Sequence, residues 1–114
     1  MLEDVSISAL HAALNGLAAR QSAVSDNVAN VNTPFFTARQ VGFENDLRQA
    51  LADGSDPLSV SPTVSATTDA AGLTGNNVNL ATQTTLGVDT NLRYELALRA
   101  TGDRFTLLRS AIRG

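Results

Sequence analysis

Between Ile7 and Val31 the apolar residues recur at alternating steps of three and four: Ile7, Leu10, Leu14, Leu17, Val24, Val28 and Val31, with Gln21 as the one polar interruption. A stripe of that period is an a/d coiled-coil seam, and a β-strand cannot present it on one face. It commits about thirty residues, from roughly Glu3 to Asn32, to a single helix on the order of 45 Å long. A 114-residue chain has no compact core of that length. The expected shape is a rod, and the seam needs a second helix to cover it. Ala9, Ala12, Ala13, Ala18, Ala19 and Ala23 raise helix propensity and let a neighbour approach closely. Pro34 disfavours the α region for Thr33, so the helix is expected to stop there.

The far end of the chain supplies the partner. Asn79 is a suitable N-cap for a helix running from about Leu80 to Ile112. Val88, Leu92 and Leu96 form one stripe on it; Tyr94, Leu98, Thr101, Phe105, Leu108 and Ile112 form another. Two stripes imply contacts to more than one helix. Gly102 interrupts the helix, and Arg93, Arg99, Arg104, Arg109 and Arg113 crowd toward its C-terminus, where cations suit the macrodipole. Between the long helices, Phe43 to Ala52 places Phe43, Leu47, Ala50 and Leu51 on one face, with Glu44 four residues before Arg48 and Asp53-Gly54 as a stop. The stretch that follows is dominated by Ser, Thr, Gly, Asp, Asn and Pro, and is expected to be flexible in the isolated chain. Pro57 and Pro62 weigh against a well-paired hairpin around Leu58 to Val64. The expected fold is all-α: a coiled-coil-like hairpin of segments 1–34 and 79–114, a short helix within 35–52, and a flexible loop over 53–78.

Chemistry is hard to find in this sequence. Cysteine is absent, which removes disulfides, thiolate metal sites and a thiol nucleophile. His11 is the only histidine and lies beside the seam, without the company a metal or a catalytic triad requires. Glu44 and Asp46 are neighbours on a solvated helix face with nothing apolar to raise a pKa. Thr74 to Asn77 is a turn rather than a phosphate loop. Catalytic residues, cofactors and metals are therefore not expected. A net charge of −3 gives no basis for binding nucleic acid or an anionic membrane, and Asp89, Glu95 and Asp103 interleave with the C-terminal arginines. No run approaches the roughly 18 apolar residues of a membrane span. The opening MLEDVSISALHAAL has neither a basic region nor a continuous apolar one, so a cleaved secretory signal is not expected.

What the seams leave unexplained is NVANVNTPFFTAR, Asn27 to Arg39. This stretch resembles the N-terminal signature of the bacterial flagellar axial proteins, the rod, hook and hook-associated subunits. Their pattern is a leucine-rich helix, Asn-Ile-Ala-Asn, one or two small or polar residues, Thr, and an aromatic-basic pair; Asn27, Val28, Ala29, Asn30, Asn32, Thr33 and Phe36 fit it. The FENDL helix, GNNVNL (Gly75 to Leu80), LRYELALR (Leu92 to Arg99) and DRFTLLRSAI (Asp103 to Ile112) resemble the family's short members at the proximal end of the rod. Three positions depart: Phe35 stands where the family usually has Gly, Thr37 where a basic residue is common, and LATQTT where the last helix is usually rich in Glu.

The resemblance implies a non-catalytic structural subunit of the flagellar basal body, crossing the periplasm, exported through the flagellar type III apparatus without a cleaved signal. It implies terminal helices packed as concentric coiled coils, in a helical homo- and hetero-oligomeric assembly with other rod subunits, the inner-membrane ring and the export gate, with no membrane insertion. The residues expected at subunit interfaces are Ile7, Leu10, Leu14, Leu17, Val24, Asn27, Val28, Asn30, Val31, Asn32, Phe35, Phe36, Arg39, Leu92, Tyr94, Leu98, Phe105, Leu108 and Ile112. The alternatives are another short rod subunit of the same family and a soluble helical export chaperone or adaptor.

Overall fold

A computed structural model describes residues 2–113. Its elements in chain order are α1 (Leu2–Ala29), β1 (Arg39–Gly42), α2 (Glu44–Asp53), a 3-10 turn (Pro57–Ser59), β2 (Thr63–Ala66) and α3 (Leu80–Arg113). The helices α1 and α3 lie antiparallel, as the approaches of Asn27 to Gln83 and of Val24 to Gly87 require. Asn79 caps α3 through its side-chain oxygen, which accepts from the Thr82 N–H at 3.1 Å. The molecule measures 64 × 26 × 14 Å with a radius of gyration of 17.4 Å, against roughly 13 Å for a compact chain of this length. Its accessible surface is 7601 Å², where a compact monomer of this mass exposes roughly 6,000 Å². The rod expected from the seam is what the chain forms.

It is not strictly all-α. β1 and β2 pair antiparallel in the register Arg39↔Ala66, Gln40↔Ser65, Val41↔Val64 and Gly42↔Thr63. Thr67 extends the ladder by donating to the Ala38 carbonyl at 2.8 Å. The segment expected as loop thus carries a 3-10 turn and a strand, and its strand pairs 21 to 27 residues back rather than with a local neighbour. Pro62 sits just before β2, on the edge of a two-stranded ribbon, where the missing N–H costs no ladder bond. In the 3-10 turn, Asp56 accepts from Leu58 N–H at 3.0 Å and Pro57 is buried. Helix α2 ends as its sequence requires, with Gly54 in the left-handed region at φ 74° and its N–H bonded to Ala50.

The buried arc of α1 is turned away from the a/d seam. Leu17 and Val24 are buried; Ile7, Leu10, Leu14 and Val31 are half-buried; Val28 is exposed. The most covered line runs through Ala12, Gly16, half-buried Arg20, Val24 and Asn27. The reason is a second neighbour: β1 and α2 fold against the flank of α1 that α3 does not cover, and Phe43 lies flat on Gly16. A Cβ at Gly16 would sit 2.3–2.6 Å from three carbons of the Phe43 ring. Gly87 makes a milder approach, where a Cβ would meet Val24 at 3.4 Å.

Two glycine substitutions test this packing by thermal denaturation. Gly16→Ala overpacks the Phe43 contact and lowers stability by about 1–3 kcal/mol. Gly102→Ala, inside α3 with open space around its Cβ position, raises stability by about 0.5–1 kcal/mol.

Candidate functional site

The segment from Asn27 to Arg39 is a polar joint built on one buried amide. Asn27 is 0 % exposed. Its Nδ2 donates to the Arg39 carbonyl at 2.9 Å and its Oδ1 accepts from the Arg39 N–H at 2.9 Å. The side chain thereby acts as a strand partner for one residue of β1, satisfying backbone groups that a two-stranded ribbon leaves open. The second Nδ2 proton goes to Gln83 Oε1 at 3.0 Å, so one side chain holds α1, β1 and α3 together.

Helix α1 ends three residues earlier than Pro34 would dictate. Asn30 Nδ2 donates to the Asp26 carbonyl at 2.7 Å, and the chain continues in 3-10 steps, Val31 N–H to Val28 and Thr33 N–H to Asn30. The carbonyls of Asn30 and Thr33 each also accept from Asn76 Nδ2 at 2.8 Å. Pro34 has a different task. Thr33-Pro34-Phe35-Phe36 is a type II turn: Phe36 N–H donates to Thr33 at 3.3 Å and Phe35 takes φ 62°. That turn favours Gly at the Phe35 position, the residue that the flagellar axial signature usually has there. An L-residue in this region costs about 1–2 kcal/mol.

Asn77 closes the joint from the other side. Its Oδ1 accepts from the Ala38 N–H at 2.6 Å, and its Nδ2 donates to Thr67 Oγ1 at 2.9 Å and to the Asp69 carbonyl at 3.2 Å. Asn76 and Asn77 are both buried. Seven residues before Asn27 on α1, Arg20 anchors the β1–α2 connection. Its guanidinium makes a two-pronged ion pair with Glu44 at 2.6 and 2.7 Å, donates to the Val41 carbonyl at 2.8 Å, and lies 5.1 Å from the Phe43 ring centroid. Glu44 therefore bonds Arg20 rather than Arg48, which donates to Asn45. The hydrogen bonds from Arg20 hold the Glu44 carboxyl at about 2, below its ordinary 4.5, against the opposing effect of burial. The same hydrogen bond raises the Arg20 pKa.

Of the residues expected to meet another subunit, Asn27 is committed inside its own chain, and Leu17 and Val24 are core. Asn30 caps its own helix and Asn32 is exposed. Phe35 is 83 % exposed, Phe36 half-buried. The two stripes of α3 separate. Tyr94, Thr101 and Leu108 are half-buried on the side of Gln83 and Thr90, which faces α1, while Leu98, Phe105 and Ile112 on the same stripe are exposed at its margin. Val88, Leu92 and Leu96 point the opposite way, at 100° per residue, and all three are exposed. Arg20, Asn76, Asn77 and Gln83 are not singled out by spacing or periodicity, and Glu44 is singled out only by its spacing to Arg48. The sequence signal for the asparagines was a pair of consecutive amides beside Gly75, a composition that also reads as a simple turn. Among the described residues, no helix is long and apolar enough to cross a membrane.

The family described as "Flagella basal body rod protein" matches residues 4–37. The flagellar basal body rod protein FlgB of Escherichia coli strain K12 is 29% identical over 108 residues, covering 77% of this chain and 78% of that protein. The protein of the same name from Salmonella typhimurium is 25% identical and covers 90% of this chain and 88% of its own. That of Borrelia hermsii is 42% identical over 48 residues, 42% of this chain and 36% of that protein.

Asn27→Ala strands the Arg39 N–H and carbonyl away from water and lowers stability by about 2–3 kcal/mol in chemical denaturation. The Glu44 carboxyl binds its proton less readily when folded, so the ion pair contributes above about pH 4.5, and that contribution is lost as pH falls toward about 2. The difference in melting temperature between the native chain and Glu44→Gln is expected to shrink over that window and to be constant above pH 6.

Proposed function

We propose that this chain is a subunit of the proximal part of the flagellar basal body rod, held by neighbours through the apolar faces its own fold leaves uncovered; the match of residues 4–37 to the rod-protein family and the similarity to the Escherichia coli rod protein support the reading. It is a structural subunit of the flagellar basal body rod and works with other rod components. The reading of its position rests on size and on the short connection between the long helices, which leaves no room for a large inserted domain.

The observation that carries the assembly role is the stripe of Val88, Leu92 and Leu96, facing directly away from α1 on a 34-residue helix. A monomer offers nothing to cover it. A neighbour that does so removes apolar area at about 25 cal/mol per Å², and a specific interface takes about 800 Å² from each partner. Ile7, Leu10 and Leu14 at the open edge of the seam, exposed Val28, and Leu98, Phe105 and Ile112 toward the far end of α3 extend the uncovered surface. Asn32 and the Arg39 side chain supply polar contacts at its rim. The neighbours in this reading are other rod subunits and, at the base, the inner-membrane ring and the export gate; the chain reaches them by the flagellar export route without a cleaved signal.

Leu92→Asp separates folding from assembly, because the side chain is already in water. The purified variant is expected to keep its circular dichroism and melting temperature, while basal bodies isolated from cells that carry it lack the subunit and the cells do not swim. A motile strain with the variant present in its rods overturns the proposal.

A further inference from the structure

We infer that the groove beside Phe35 receives the outer ridge of α3 from a second copy of this chain, with Val88, Leu92 and Leu96 against Phe35 and Val64, and Arg39 facing Glu95. This rests on the rod-subunit reading and adds which surface meets which.

Phe35 is the outlier that motivates it. The residue occupies a backbone region suited to glycine, at φ 62°, and its ring is 83 % exposed. Strain of this kind persists where the surroundings enforce it, and it concentrates at sites of contact. Here the enforcement is visible. The Phe35 N–H donates to Thr74 at 3.0 Å, and one side of the ring rests on Gly75, where a Cβ would lie 2.6 Å from a ring carbon. Gly75 itself takes φ 78°. The other side of the ring is open. Nothing within the chain is gained by holding a large apolar side chain there, whereas a fixed aromatic loses little entropy when a partner covers it.

The groove next to it is lined by Phe35, Phe36, Arg39, Val64 and Ala66. Val64 is exposed although its strand partner Val41 is buried. The Arg39 backbone is locked by Asn27, but its side chain is exposed and makes no ion pair among the described residues. A partner for this groove needs a narrow apolar ridge with an acid at its flank. The chain carries one: Val88, Leu92 and Leu96 stand one turn apart on α3, and Glu95, exposed and also without an ion pair among the described residues, lies beside them. The groove and the ridge are different patches, so the contact is heterologous and adds copies head to tail.

The test places the photo-reactive residue benzoylphenylalanine at position 35 and reads cross-links in two settings: the purified full chain at high concentration, and isolated basal bodies. The expected product in both is a dimer of this chain whose linked peptide contains Leu92 or Leu96. Arg39→Glu or Glu95→Arg alone is expected to lower its yield about tenfold, and the two together to restore it. Phe35→Gly is expected to raise the melting temperature by a few degrees while lowering self-association, a combination that a purely structural Phe35 does not produce. Cross-links to a different protein, cross-links to another part of this chain, or no rescue by the double charge reversal overturn the inference even when the subunit is present in basal bodies. Its absence from basal bodies refutes the rod reading instead, and the purified chain still decides the contact.

Discussion

The structure depends on one side-chain amide with no access to water. Asn27 pairs both backbone groups of Arg39 and gives its remaining proton to Gln83. A buried amide left half-satisfied costs more than the whole interaction yields, so this arrangement is close to all-or-none. It fixes the point at which α1 gives way to β1, and by placing Arg39 it sets the register of the ribbon and the direction in which Phe35 and Phe36 leave the helix. Arg20 reinforces it about two turns along the same face, tying the Val41 carbonyl and Glu44 to α1. Asn76 and Asn77 bring the beginning of the last segment to the same place. The joint is polar and internal; the apolar surface is external.

That inversion suits a subunit better than an independent domain. A chain of this size with two long helices has too few large apolar residues to fill a thick core, and those it has are divided between a modest interior and the outer face of α3. Ala12, Leu17, Val24, Val41 and Phe43 are covered within the chain, while Val88, Leu92, Leu96 and Ile112 are not. Hydrogen-bonded asparagines supply specificity where hydrophobic packing is thin, because each amide accepts only partners at the right distance and angle. The apolar faces stay uncovered within the chain, and in the proposed reading neighbours in the rod cover them. The strained type II turn at Phe35 belongs to the same division: it costs the isolated chain some stability and holds an exposed apolar side chain in place.

Periodicity made the two long helices legible. A three-and-four spacing sustained over 25 residues has no other solution, and the Asn79 cap and the Asp53-Gly54 stop followed from local chemistry that tertiary contacts did not alter. The signature around Asn27 also carried the likeness to the flagellar rod proteins, whose family matches residues 4–37. What these residues do was not legible. Asn27 lies off the seam, and from the sequence an amide there is as ready to bond another chain as its own; only the return of β1 to the flank of α1 decides it. Pro34 read as a helix stop, but the helix had already ended: after Ala29 the chain tightens into 3-10 steps, and Asn76 bonds the carbonyls of Asn30 and Thr33.

Hydrophobic period and capping, which act over neighbours in the chain, were enough to set the rod: two long helices with the short helix between them. Tertiary structure decided the joint and the ribbon. The strand at Thr63 to Ala66 has no local partner and exists only because Arg39 to Gly42 is held within reach. The buried arc of α1 shifted from its seam because Phe43, 27 residues away, fits only against Gly16. Long-range pairings of this kind leave no period in the sequence; they come from which surfaces meet once the helices are already in place.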